Sequence, residues 1–224
     1  MRPRQLTATA TAAAAALLLS ACGSSPLEGK TGTEVARAAA DALEEAGAVH
    51  MAGDIVEDGE ESSVDLHLQG EDAEGTLSFG GVELQLLTVG GTSYLQADPE
   101  FWTSSGLPEE VAATFEGRWV TVPEDVAGDF AEFTLAGIVD QLRNPESEVE
   151  DEVTSEEVDG EDVVVVRQED GSELTVRDDD PSYPLSLTDD GDSTSDIRFT
   201  RFGEEEDISA PEDPIDLADA FGGS

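Results

Sequence analysis

Apolar residues in this chain first form an unbroken run, then recur at helical spacing, then alternate. Residues 8–19 are apolar apart from Thr9 and Thr11, and Arg2 and Arg4 stand before them. Val35, Ala39, Ala42, Leu43 and Ala46 then share one face of a helix predicted over 33–46. Thr31 followed by Glu34 makes a capping box, and Gly47 suits the left-handed residue past the last turn. The stripe is mostly alanine, which predicts close packing against something flat, such as a sheet.

After Gly47 the period falls to two. Val49, Met51 and Ile55 alternate with His50, Ala52 and Asp54, and Val64, Leu66 and Leu68 alternate with Asp65 and His67. Leu77 and Phe79 share a face, followed by Val82, Leu84 and Leu86, and then by 92–96. Asp58-Gly59, Gly80-Gly81 and Gly90-Gly91 separate these runs, and two-residue links of this kind signal hairpins. The middle of the chain predicts a short helix over 108–115, a strand over 118–122 and a helix over 126–143 ended by Pro145. Strands resume over 149–158, 163–167, 172–177, 183–188 and 196–202, with turns at Asp170-Gly171 and Asp190-Gly191. Residues 163–166 are four valines in a row, which predicts a strand covered on both faces. A last short helix is expected around 216–221. The pattern is α+β: one N-terminal helix and a strongly curved antiparallel sheet with helices on its inner side.

The apolar run at the start changes the picture from fold to location. A basic start, an apolar stretch and small residues form a secretory signal, too short for a span of ~20 apolar residues. It ends in Leu19-Ser20-Ala21-Cys22, which resembles the lipobox of bacterial lipoproteins. Cys22 is the only cysteine, so no internal disulfide is available and the fold must hold by its core. A thiol can form the thioether to a diacylglyceryl group, and two acyl chains anchor where one is marginal. The expected organisation is a removed signal peptide at 1–21, a flexible tether at 22–32 after lipidated Cys22, and one domain over 33–224. The expected location is exported, with the lipid holding the body on the outer face of the cytoplasmic membrane.

Charge excludes several partners. The sequence carries 53 acidic residues against ten basic ones, a net charge of −43. Loss of Arg2 and Arg4 with the signal leaves eight basic residues and a net charge of −45. Nucleic acid needs basic patches and is excluded. The acid clusters do not have calcium-loop spacing around Asp189-Asp190-Gly191-Asp192. The excess suits a solvated envelope surface or a high-salt habitat.

Catalytic chemistry finds no support. Gly29-Lys30-Thr31 resembles the end of a phosphate loop, but Ser24 stands where the first glycine belongs. No Gly-x-Ser-x-Gly elbow and no dinucleotide fingerprint occur, and no cofactor is expected. His50 and His67 fall on the polar faces of neighbouring strands, and two histidines do not make a metal site, so both are expected to face solvent. Tyr94, Phe101, Trp102 and Trp119 suit either core or cavity mouth.

The order and spacing of several stretches resemble actinobacterial envelope lipoproteins of the LppX and LprG type, and more distantly the Lol carriers of lipoproteins. These stretches are "AADALEEAGAVHMAGDI" ending at Ile55, "GGTSYLQADPEFW" ending at Trp102, "GRWVTVP" ending at Pro123, "YPLSLT" ending at Thr188 and "DIRFTRFGEEEDISAPED" ending at Asp213. With the lipobox they span most of the chain. The resemblance implies a LolA/LppX-like half-barrel whose inner space can hold lipid or glycolipid chains. Residues expected to line it are Val64, Leu66, Leu68, Val82, Leu84, Leu86 and Trp102. Two functions follow: binding or transfer of lipid in an apolar cavity without chemistry, or an envelope sensor or scaffold with a closed core and a protein partner.

Overall fold

The computed structural model describes residues 25–57, 59–123, 130, 133–191 and 194–217. Its frame is one twelve-stranded sheet made of two meanders. The first runs through β1 (Ala48–Glu57), β2 (Glu60–Gln69), β3 (Asp72–Phe79), β4 (Val82–Val89), β5 (Thr92–Ala97) and the short β6 (Val120–Thr121). The second comprises β7 (Val149–Val158), β8 (Glu161–Gln168), β9 (Glu173–Arg177), β10 (Pro184–Asp190) and β11 (Thr194–Thr200). Antiparallel pairing of β1 with β11 is the seam between them. A last strand, β12 (Ile215–Asp216), pairs parallel with β6. The sheet is curved and does not close, since β7 and β12 are its two ends.

Local chemistry explains the hairpins. Gly80 and Gly81 have φ of 56° and 83°, and Gly90 and Gly91 have 56° and 80°. Two consecutive positive φ values match the right-handed twist of the flanking strands and are the glycine signature of a tight hairpin. Alternation then sends one set of side chains inward: Val49 and Met51, Val64, Leu66 and Leu68, Leu77, Leu84 and Leu86, Val164 and Val166, Ile197 and Phe199 all join one core.

Helix α1 (Gly32–Ala46) starts at the expected capping box, with Thr31 accepting from the Glu34 amide and Glu34 accepting from the Thr31 amide. That amide holds the Glu34 carboxyl below its ordinary range. Gly47 ends the helix at φ 72°. Its buried face is Val35, Ala36, Ala39, Ala40 and Leu43, laid on β7–β10 and β1. The alanines serve close approach: a Cβ at Gly32 would stand 2.2 Å from the Glu150 carbonyl. Helices α2 (Pro99–Ser104) and α3 (Glu109–Ala112) follow β5, and a single 3-10 turn, Ala113–Phe115, continues α3. Helix α4 (Leu135–Arg143) packs on α1, and its terminal Arg143 donates to Asp41 at 2.7 Å and Glu44 at 2.6 Å.

Several expectations need correction. The tether predicted at 22–32 is docked from Ser25 onward. Ser25 Oγ donates to Asp178, and Leu27 is buried in the core because its side chain finds apolar partners there. Of the helix predicted over 126–143, the described residues show α4, capped by Thr134 through the Gly137 amide, as a helix of its own; residues 124–129, 131 and 132 lie outside the described set. The terminal helix expected around 216–221 does not include Asp216: Ile215–Asp216 form β12, held by the Ile215 amide on the Trp119 carbonyl, and Leu217 is already helical; residues 218–224 lie outside the described set. Helix α2 was not anticipated, although Asp98-Pro99 is a sound helix start.

His67 is the other correction. It points outward as alternation requires, yet it is only 4% exposed. The chain between β11 and β12 must pass from β1's neighbour to β6's neighbour, and it does so over the outer face. The Glu206 amide donates to Gln69 Oε1 at 2.8 Å, two residues along β2 from His67. Arg201 lowers the Glu206 carboxyl pKa, helped by the nearby His67 and His50. Neither ring nitrogen of His67 has a hydrogen-bond partner among the described residues. An unsatisfied buried polar group costs ~1–3 kcal/mol. His67→Leu is therefore expected to raise the unfolding midpoint by about 2–12 °C for a domain of this size. Differential scanning fluorimetry checks this, and a lowered midpoint would show that the ring is satisfied in solution.

Candidate functional site

The inner face of the sheet is covered unevenly. On the β7–β10 side it is sealed by α1. On the β4–β6 side Trp102 of α2 fills the space. Its indole N–H donates to the Ala97 carbonyl, and its ring stands edge-on to Phe101 and Phe115, with centroids 5.0 and 5.2 Å away. Between these two blocks, along the β1–β11 seam, α4 and Phe133 supply the cover among the described residues.

A cavity of about 310 Å³ lies there. Its buried walls are Met51 and Val64 from β1 and β2, Ile197 and Phe199 from β11, and Ile138 and Leu142 from α4. Ile55, Phe133, Leu187, Ser195 and Gln141 are partly or fully exposed and form its rim. The floor continues across the seam because Met51 faces Phe199 and Gly53 faces Ile197 in register. Arg143 fixes the last turn of α4 to α1, and the two carboxylates it binds raise its pKa. Among the described residues no Lys or Arg lines the cavity.

Of the seven residues expected to line a cavity, Val64 does so. Leu66, Leu68 and Leu86 are fully buried in close contact with the core, and Leu84 is nearly so. Val82 is half-buried at the β3–β4 hairpin, outside the core. Trp102 is core, locked between Phe101 and Phe115. The sequence reading missed Ile138, Leu142, Leu187, Ile197 and Phe199. Their inward-facing periodicity was visible, but the pairing of β1 with β11 across some 150 residues was not. Residues 19–22, the lipobox with Cys22, lie outside the described set. Among the described residues no group of His, Cys, Asp and Glu could hold a metal ion, and no helix is long and apolar enough to cross a membrane.

The large, curved, unclosed antiparallel sheet with few helices is an LppX-like half-barrel fold. Two solved structures show the same fold. LprF from Mycobacterium bovis superposes with a TM-score of 0.52 at 16% identity, covering 82% of this chain and 99% of that one. The Mycobacterium tuberculosis lipoprotein LppX superposes at 0.50 and 13% identity, covering 80% and 98%. No protein-family model and no curated protein matches the sequence.

Proposed function

We propose that this protein is a membrane-anchored envelope lipoprotein that binds lipid by partition, without chemistry. The observation that supports this reading is the cavity: an apolar space of about 310 Å³ at the centre of a half-barrel, reaching solvent at its rim. An apolar lining favours hydrocarbon over water, and the volume lies within the range of ligand pockets, ~300–1,000 Å³. The acyl chain leaves the membrane for the cavity, and the lipid on Cys22 keeps the body at the membrane where cargo is found.

Two measurements test the reading. Cys22→Ser is expected to shift the protein from the membrane to the soluble fraction. A mutant that stays with membranes after a salt wash and is processed normally would overturn the anchor. The same Cys22→Ser body, purified from a lipid-containing host, is expected to carry lipid by native mass spectrometry. An empty protein that also takes up no added lipid would leave the sensor or scaffold of the same fold.

A further inference from the structure

We infer that the cavity takes a single acyl chain of about a dozen carbons with an uncharged head, and excludes two-chain lipids and fatty-acid anions. This rests on the lipid-binding reading above and narrows its ligand.

Volume sets the chain number. A dry apolar cavity of ~150 Å³ holds one benzene, which has six carbons. The present cavity, about 310 Å³, is twice that and holds about a dozen carbons. It cannot grow sideways. Towards β4–β6 the way is blocked by Leu66 and Leu86 with no exposed surface and by the Trp102–Phe115 pair. Towards β7–β9 it is blocked by Val35, Ala39 and Leu43, also without exposed surface, on a helix already touching the β7 backbone at Gly32. A second chain would have to displace close-packed core.

The rim sets the head. Among the described residues its polar side chains are Gln141 and Ser195, which offer neutral donors and acceptors suited to a hydroxyl, ester or amide. A carboxylate or phosphate drawn to the same rim would lose water without finding a cation. The cation on α4, Arg143, is turned to Asp41 and Glu44 on α1. The body's net charge adds a long-range repulsion against any anion.

The test uses the Cys22→Ser body, stripped of lipid, with three probes: monolauroylglycerol, laurate at pH 8 and dilauroylglycerol, each followed by native mass spectrometry and calorimetric titration. The expected result is one monolauroylglycerol bound per chain, laurate at least about tenfold weaker, and no dilauroylglycerol. Leu187→Trp, at the half-exposed rim, and Ile138→Trp, in the wall, should each abolish uptake. Circular dichroism identifies the folded variants, and Leu187→Trp keeps the test valid if Ile138→Trp does not fold. Binding of dilauroylglycerol as tight as the monoacyl lipid would overturn the single-chain inference while supporting lipid binding itself. Equal affinity for laurate would overturn the neutral head. Undiminished uptake by a folded Leu187→Trp would overturn the cavity as the site. Uptake of none of the probes, with no lipid on the protein as purified, would overturn both this inference and the reading it rests on.

Discussion

Lowering the ionic strength is expected to unfold the body that follows Cys22, and molar NaCl to raise its thermal midpoint by more than about 10 °C. The cause is a net charge of −45, eight basic residues against 53 acids after Cys22. Smearing that charge over a sphere of radius ~21 Å gives a self-energy of roughly 100 kcal/mol at ~0.01 M salt and about a quarter of that at 1 M. The unfolded chain is larger and repels itself less. Proton uptake and bound counterions reduce both figures. Even a small surviving fraction is comparable with a domain stability of ~5–15 kcal/mol. Ion pairing offsets little: Arg143, Arg167, Arg177, Arg198 and Arg201 form surface pairs, which solvent and salt screen. A thermal series in NaCl, with sucrose as a control for preferential exclusion, measures the effect. A midpoint that does not respond to NaCl would show that the acids are too widely spaced for repulsion to matter.

Gly53→Val is the substitution expected to damage the fold most. Gly53 lies in β1 at the seam that joins the two meanders, opposite Ile197 of β11. A Cβ there would stand 2.0 Å from the Asp196 carbonyl oxygen and 2.8 Å from the Ile197 Cα. Both are backbone atoms of the partner strand, so relief requires the ladder to open. Overpacking in a core costs ~1–3 kcal/mol when side chains can yield; here they cannot, and a loss of about 3 kcal/mol or more is expected. The cavity floor is built on the same seam, so lipid uptake should fall with stability. Ala52→Val, one residue away on the outer and half-buried side, is the control and should be tolerated. Urea titration of the two variants decides. Equal midpoints would mean that the strands separate at Gly53 at no cost.

The local pattern of the chain determined its local structure because the causes are local. Thr31, Glu34 and Gly47 delimit α1 by satisfying its end groups, whatever packs on it. The paired glycines at 80–81 and 90–91 set the hairpins, and period-two runs assign Val64, Leu66 and Leu84 to the inner face. The four valines at 163–166 are all buried, Val164 and Val166 in the main core and Val163 and Val165 on the other side, as an unbroken β-branched run requires. Charge, the lone cysteine and the half-barrel class were equally legible.

What an inward residue meets after it turns inward was decided only by tertiary structure. Val64 and Leu66 have the same pattern and neighbouring positions, yet one lines the cavity and the other is sealed in core. The difference is α4 above the first and close packing above the second. Leu187, Ile197 and Phe199 join the site because β11 returns to β1, a pairing whose partners are about 150 residues apart in sequence. His67 faces outward by alternation and is buried all the same, because the segment leading to β12 crosses above it. Leu27, in a stretch whose composition suits a linker, is fixed by a core that forms far from it in the chain. Alternation specifies the direction of a side chain; the width of the space it enters depends on elements brought there from elsewhere in the sequence.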